Sequence, residues 1–357
     1  MIKNVLIKME LEGNGIVNRD SSGQKYIIDA FDIKNLKGHK SNNNVLYAKK
    51  NFYKDEDGNV SYKIKISRDA LMHDIFKNDI ISQNPNVVHH DASLYSYIAS
   101  PISILRGYLF ANKTETIKRD GVITLCDAEQ TDGALSSIEV CSRSGQKEED
   151  KDVVDNSLFF KETVGDIKYL TTGNLDLTKL QFITCDNVFG RYSFNPDKFG
   201  LFKEFLTKNL PNFSSELDYY QLTGSAIDIP EYGVLLSNEN VIFLVKEALK
   251  RMLGLNIKRK DAYARVSSLK IKFVENPLED IFNNEYGWIE LRNEQDVDSL
   301  DFEPQSFYNK VDLEEAKKLR KAIEDKKKEV DKVKIDDKKK KEEQKKNRSN
   351  KTESNDE

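Results

Sequence analysis

The chain has 357 residues, a formal net charge of −4, 38% hydrophobic residues and 32% charged ones. That length suits one large domain or two ordinary ones. No run reaches the roughly 18 apolar residues of a membrane span, and the opening MIKNVLIKMELEG alternates and carries charge throughout, unlike a secretory signal.

Cys126, Cys141 and Cys185 show no C-x-x-C spacing, and there are only four histidines. The reading is a cytoplasmic protein with free thiols, no membrane partner and no metal site. A net negative chain does not advertise a nucleic-acid binder, so any such surface must come from local clustering of cations.

Val5–Glu12 alternates apolar and polar residues, as a half-buried strand does. Gly13-Asn14-Gly15 permits a sharp bend, and Asn18 and Arg19 follow. Residues 20–65 read as an extended excursion. Lys34, Lys37, His39, Lys40, Lys49, Lys50 and Lys54 crowd it, interleaved with Tyr47, Phe52 and Tyr53. Asp57-Gly58 reads as a hairpin turn, and Ser67 as the N-cap of a short helix.

An apolar helix is expected over Leu94–Phe110, kinked at Pro101. Gly121–Cys126 reads as a strand and 127–156 as a mobile polar loop. Leu158–Thr171 reads as a hairpin or a long strand bent at Gly165-Asp166, and Thr178–Thr184 as a further strand. Phe199–Asn209 and Glu239–Leu253 read as amphipathic helices, the second ended by Gly254. Ala264–Val274 is the last clear strand. From Val311 onward 17 Lys+Arg mix with 14 Asp+Glu, and the end of the chain has the composition of a disordered tail.

In order, the core elements read β-α-β-β-α-β. This predicts an α+β, ferredoxin-like (RRM-like) palm with long insertions at about 20–92 and 127–156. The domain would span 1–310, with a charged tail at 311–357. RNA-recognition domains share this fold and stack bases on aromatics of the sheet. No RNP-type aromatic signature occurs, so stacking on the sheet is not the expected mode.

P-loop, G-x-S-x-G, H-E-x-x-H and Rossmann patterns are missing from the sequence, which argues against a bound cofactor and the commoner catalytic sites. Asp29 and Asp32 lie among the excursion lysines. They either balance those charges or assist metal-dependent RNA cleavage. Phosphate is held by Arg, Lys and Asn without sequence information. The candidates are Asn14, Asn18, Arg19, the excursion cations Lys37, His39, Lys40, Lys49 and Lys50, then Arg106, Lys118, Arg119, Lys161, Arg259 and Arg265. Each is alternatively a solvated polar or cationic surface residue. Arg106 differs, because it interrupts the apolar ISILRGYLF and needs an acid or a phosphate. Gly107 beside it would admit a close backbone.

Four segments, in order, resemble a known family: IKMELEGNGIVN; SPISILRGYLF with the following IKR; NSLFFKETVGDIKYLTTGNLDLTKLQFIT; and LVKEALKRMLGLNIKRKDAYARVSSLKIKF. They are similar to the Cas-seven backbone subunit of CRISPR–Cas type I effector complexes (Cascade), above all the subtype I-F variant. The resemblance implies a hand with palm, fingers and thumb. Copies of it would polymerise along a crRNA, beside subunits of the Cas five, six and eight types. Guide bases would remain free to pair with target DNA, and no catalytic residue is needed. It adds Phe159 and Phe160 to the residues expected near the RNA. Type III relatives of the family cleave target RNA, which keeps Asp29 and Asp32 as the alternative. A structural partner without a nucleic-acid role is the third reading.

Overall fold

The computed structural model describes residues 2–20, 47–77, 91–111, 116–133, 136–143, 157–186, 192–223, 229–275 and 286–321. Lys37, His39, Lys40, Asp29, Asp32 and the tail after residue 321 lie outside the described residues.

β1 (Asn4–Asn14) is the strand expected from the first alternation, and Val5, Ile7, Met9 and Leu11 are buried along one face. β2 (Arg19–Asp20) pairs with β3 (Tyr47–Ala48). β4 (Lys50–Lys54) and β5 (Val60–Ile66) form the expected hairpin, with Gly58 at φ +87° in its turn. Ser67 precedes α1 (Arg68–Ile75), but its side chain makes no capping bond.

The expected helix Leu94–Phe110 is instead three elements: α2 (Asp91–Ile98), α3 (Pro101–Arg106) and β6 (Tyr108–Ala111). Pro101 opens α3, where its missing N–H is no loss, and Ser100 Oγ accepts from Ser103 N at 3.2 Å. Gly107, at φ +79°, ends α3. β6 then pairs with β7 (Thr116–Arg119).

β8 (Ile123–Leu125) lies within the expected strand. The stretch read as a mobile loop contains β9 (Ala128–Gly133) and β10 (Ser136–Arg143). Their polar sequence hid them, because strand formation here depends on partners distant in sequence. Residues 144–156 lie outside the described residues. The bend at Gly165 separates β11 (Ser157–Val164), which pairs with β10, from β12 (Asp166–Asp176).

Thr178–Thr184 is not one strand. α4 (Leu177–Gln181), capped by Asp176 Oδ1 on Lys179 N at 3.0 Å, runs directly into β13 (Phe182–Thr184). α5 (Phe199–Asn209), β14 (Leu217–Leu222) and β15 (Glu231–Leu235) follow. Next come α6 (Asn238–Leu253), β16 (Asn256–Arg259), β17 (Ala262–Val274), β18 (Ile289–Leu291), α7 (Glu294–Asp298) and β19 (Tyr308–Lys310). α6 buries Val241, Leu244, Val245, Ala248, Leu249 and Met252, a helical stripe worth roughly 1.5–3 kcal/mol per large side chain.

The result is an α+β architecture. A nine-stranded sheet runs β16-β17-β1-β12-β9-β5-β4, with β18 on β17 and β8 on β12. A four-stranded sheet runs β13-β15-β14-β19. One hydrophobic cluster joins the inner face of the large sheet to α2, α3, α5 and α6.

Residues 299–321 fold back onto this body. β19 pairs with β14, and Phe302 stacks on Phe273 with ring centroids 4.7 Å apart. Val311 and Ala316 are buried, and Arg320 forms a two-pronged ion pair with Asp186 at 2.5 and 3.0 Å.

Candidate nucleic-acid interface

The bend after β1 is built from two glycines. A Cβ on Gly13 would lie 2.4 Å from the Tyr263 carbonyl. Gly15 has φ +75°, and a Cβ there would meet the Asp261 carbonyl at 2.6 Å. This close approach to β17 positions the residues around it. Asn14 stands opposite Asp166 on one side and Tyr263 on the other, and its Nδ2 donates to Asp166 Oδ1 at 2.8 Å.

Several predicted phosphate contacts near this bend are committed to the protein itself. Arg19 pairs with Asp261 at 2.6 Å, and Arg259 with the buried carboxylate of Asp74 at 2.8 Å. Asn18 Nδ2 donates to Ser67 Oγ at 3.0 Å, while its carbonyl accepts from Lys49 N at 2.9 Å. Lys50 is enclosed with Glu162. Burial, outweighing the attraction of that carboxylate, holds its ammonium below the usual lysine range. These contacts tie β2 to the turn between β16 and β17, α1 to β16, and β4 to β11. On β11, Phe159, Phe160 and Lys161 stand opposite Cys141, Val140 and Glu139.

Arg106, Lys118 and Arg119 lie at the other end. Asp176, the residue opposite Asn4 on β1, donates its N–H to the Val122 carbonyl, and Val122 N bonds to Leu105 O. Ten strand steps along β1 separate the ends, about 33 Å, so the predicted residues do not form one cluster. Arg119 is a buried structural residue. Its Nε donates to Ile104 O at 3.2 Å, Nη1 to Phe182 O at 3.0 Å and Nη2 to Lys179 O at 3.1 Å. Lys118 is near Asp120 at 3.3 Å. Arg106 is half-buried at the end of α3. The backbone that approaches Gly107 is the chain's own: a Cβ there would meet Arg119 O and Gly121 N, each at 2.5 Å.

A different set of cations does share a surface. Side chains alternate along a strand, so Lys8, Glu10 and Glu12 of β1 point away from the helices. Cross-strand register puts Lys168 and Thr172 of β12 and Arg265, Lys270 and Lys272 of β17 on that same open face. Among the described residues Lys8, Lys168, Arg265 and Lys270 have no ion-pair partner. Glu12 stands between Lys168 and Arg265, so the face is cationic with acidic interruptions.

Of these cations only Arg265 is among the residues expected from sequence. The signal for the others was present, as a lysine at every second position of KIKF and a lysine between Ile7 and Met9. A lysine on an alternating strand is ordinary, and only the register shows that three strands place theirs together.

Residues 1–298 match the family described as "Type I-Fv CRISPR-associated protein Cas7fv-like". The chain belongs to that family. Among solved structures this Cas7fv-like chain is similar to a "CRISPR RNA-guided surveillance complex" at 12% identity and TM-score 0.36, over 76% of this chain and 71% of that one. It is also similar to a "CRISPR RNA-guided surveillance complex, pre-nicking" at 11% identity and TM-score 0.37, over 76% of this chain and 77% of that one. No curated protein matches it.

The family match ends at residue 298, so the docked segment 299–321 of this Cas7fv-like chain lies beyond it. Among the described residues no three His, Cys, Asp or Glu side chains gather as a metal site. No helix among them is long and apolar enough to cross a membrane.

Proposed function

We propose that this Cas7fv-like chain is the crRNA-binding backbone subunit of a type I-F variant Cascade surveillance complex. Copies polymerise along the guide, beside subunits of the Cas five, six and eight types, and hold its phosphates so that its bases pair with target DNA. The chain acts as a scaffold without catalysis.

The observation that carries this reading is the open sheet face, where cations from three neighbouring strands stand without ion-pair partners among the described residues. Such a surface neutralises phosphate without reading sequence, which suits a subunit whose complex leaves sequence recognition to base pairing.

The strand order β17-β1-β12-β8, with every neighbour antiparallel, is the order of the fourth, first, third and second strands of a β-α-β-β-α-β unit. It supports a ferredoxin-like palm. The long β10–β11 hairpin and the β4–β5 hairpin then serve as the hand's projecting parts.

The test is binding of the purified chain to single-stranded RNA of unrelated sequences. Comparable affinities are expected, with log K falling by about 0.7 per phosphate contact for each log unit of salt. Salt-insensitive binding, or a complex isolated from cells without RNA of one discrete length, overturns the reading.

A further inference from the structure

We propose that the groove at the Asn14 end of the open face is a ribonucleotide pocket, in which one base of the bound RNA stacks on Tyr263. The inference rests on the RNA-binding reading above and names the place where a base, rather than the phosphate chain alone, is held.

Tyr263 is 48% exposed. It lies two residues from Arg265 on β17 and so projects to the same side of the sheet, opposite Asn14 of β1. The groove beside it has a volume of about 410 Å³ and is lined by Glu12, Asp132, Asp166, Lys168, Tyr263 and Arg265 over the backbone of Gly13 and Gly133. That volume is in the range of small-molecule pockets.

The floor is backbone for a reason. Gly133 has φ +82°, and a Cβ there would meet the Asp166 carbonyl at 2.5 Å. With the Gly13 contact to Tyr263, the two glycines let the backbones of β1 and β17, and of β9 and β12, approach closely beneath the groove. Asp166 is held by Asn14, and Asp132 Oδ1 accepts from Gly133 N at 2.7 Å.

A nucleotide presents a flat ring, a phosphate and hydrogen-bond donors, and the groove has a counterpart for each. Tyr263 offers a ring face, and base–aromatic stacking tolerates any base. Arg265 and Lys168 reach toward the phosphate. The carboxylates of Glu12, Asp132 and Asp166 would repel a bare phosphate, but they accept hydrogen bonds. A ribose 2′-hydroxyl is such a donor, and it distinguishes RNA from DNA. The chain lacks an RNP-type aromatic run, yet the register supplies one exposed aromatic where the cationic face ends.

The experiment uses the full chain, a short single-stranded RNA carrying 2-aminopurine, and DNA of the same sequence. The wild type and Tyr263→Phe are expected to quench the 2-aminopurine emission on binding. Tyr263→Ala loses the quenching and roughly 5- to 150-fold in affinity, with the slope against salt unchanged because no charge is removed. DNA binds more weakly than RNA. A Tyr263→Ala protein that quenches and binds as the wild type does, or DNA bound as tightly as RNA, overturns the pocket while leaving the backbone-subunit reading intact. Failure of the wild type to bind RNA at all overturns both.

Discussion

Lys50 Nζ sits 2.6 Å from Glu162 Oε1, with 2% and 0% of the two side chains exposed, and Glu162 Oε2 also accepts from Ala48 N at 2.8 Å. One buried carboxylate thus ties the β3–β4 region of the excursion to β11. The pair joins residues 112 positions apart. Its lysine, expected among the phosphate contacts, holds two chain segments together.

Removing one member of such a pair leaves the other charge buried without its partner. Lys50→Ala is expected to lower stability to urea by roughly 3–5 kcal/mol. A Lys50→Met, Glu162→Leu double variant should recover part of that loss, because replacing both charges with apolar groups removes the desolvation penalty while Ala48 N–H is left without its acceptor. Equal losses in the single and double variants would show that the pair is not the anchor described.

Arg119 and Arg106 are expected to behave oppositely. Arg119→Ala leaves three backbone carbonyls without their donor and should cost about 3–5 kcal/mol in chemical unfolding. Arg106→Ala should change stability by no more than about 0.5 kcal/mol. A stable Arg119→Ala protein with weakened RNA binding would return Arg119 to the interface.

Lys8→Ala and Lys270→Ala test the open face. Their side chains neighbour each other across β1 and β17. Each substitution should weaken binding to all RNA sequences alike and reduce the salt slope by about 0.7 for each lost phosphate contact. A sequence-dependent loss, or an unchanged slope, would show that these lysines face something other than phosphate.

Cys126 and Cys185 should differ in reactivity. Cys126 is exposed and Cys185 buried, and burial pushes the Cys185 thiol up to about 12. Alkylation at mildly alkaline pH should therefore mark Cys126 and spare Cys185, read by peptide mass spectrometry. Unfolding releases the Cys185 thiol to its ordinary value of 9.0. Above that value the native state keeps a proton that the unfolded state loses. The stability tied to Cys185 is therefore complete below pH 9.0 and declines as pH rises toward 12. Cys185→Ala should reduce this alkaline decline.

The segment beyond the family match should be part of the folding unit. A chain ending at residue 298 loses Phe302 and Phe307, both buried, and the donors and acceptors that engage Gln181. It should unfold at least about 3 kcal/mol more easily, whereas a chain ending at Lys321 should match the full chain. Equal stability of both truncations would show that the docked segment contributes nothing.

Sequence by itself determined the elements whose signals are local. The alternation of β1 and β17, the Asp57-Gly58 turn, the stripe of α6 with Gly254 after it, and the helix over Phe199–Asn209 follow from periodicity and end signals a few residues apart. The ordered family segments were likewise legible. Where pairing is non-local the reading fails, so that β9 and β10 read as a polar loop. α4 reads as strand for a different reason: its five residues run without a break into β13.

Only the tertiary structure decided which cations are free. Arg19 meets Asp261 across 242 positions, and Arg119 meets carbonyls from α3, α4 and β13. The register of β1, β12 and β17 then gathers Lys8, Lys168, Arg265 and Lys270 on one face. The physical reason is that a side chain's type sets its charge, whereas its partner is set by whatever the fold brings within about 4 Å, where Coulomb and hydrogen-bond energies become large.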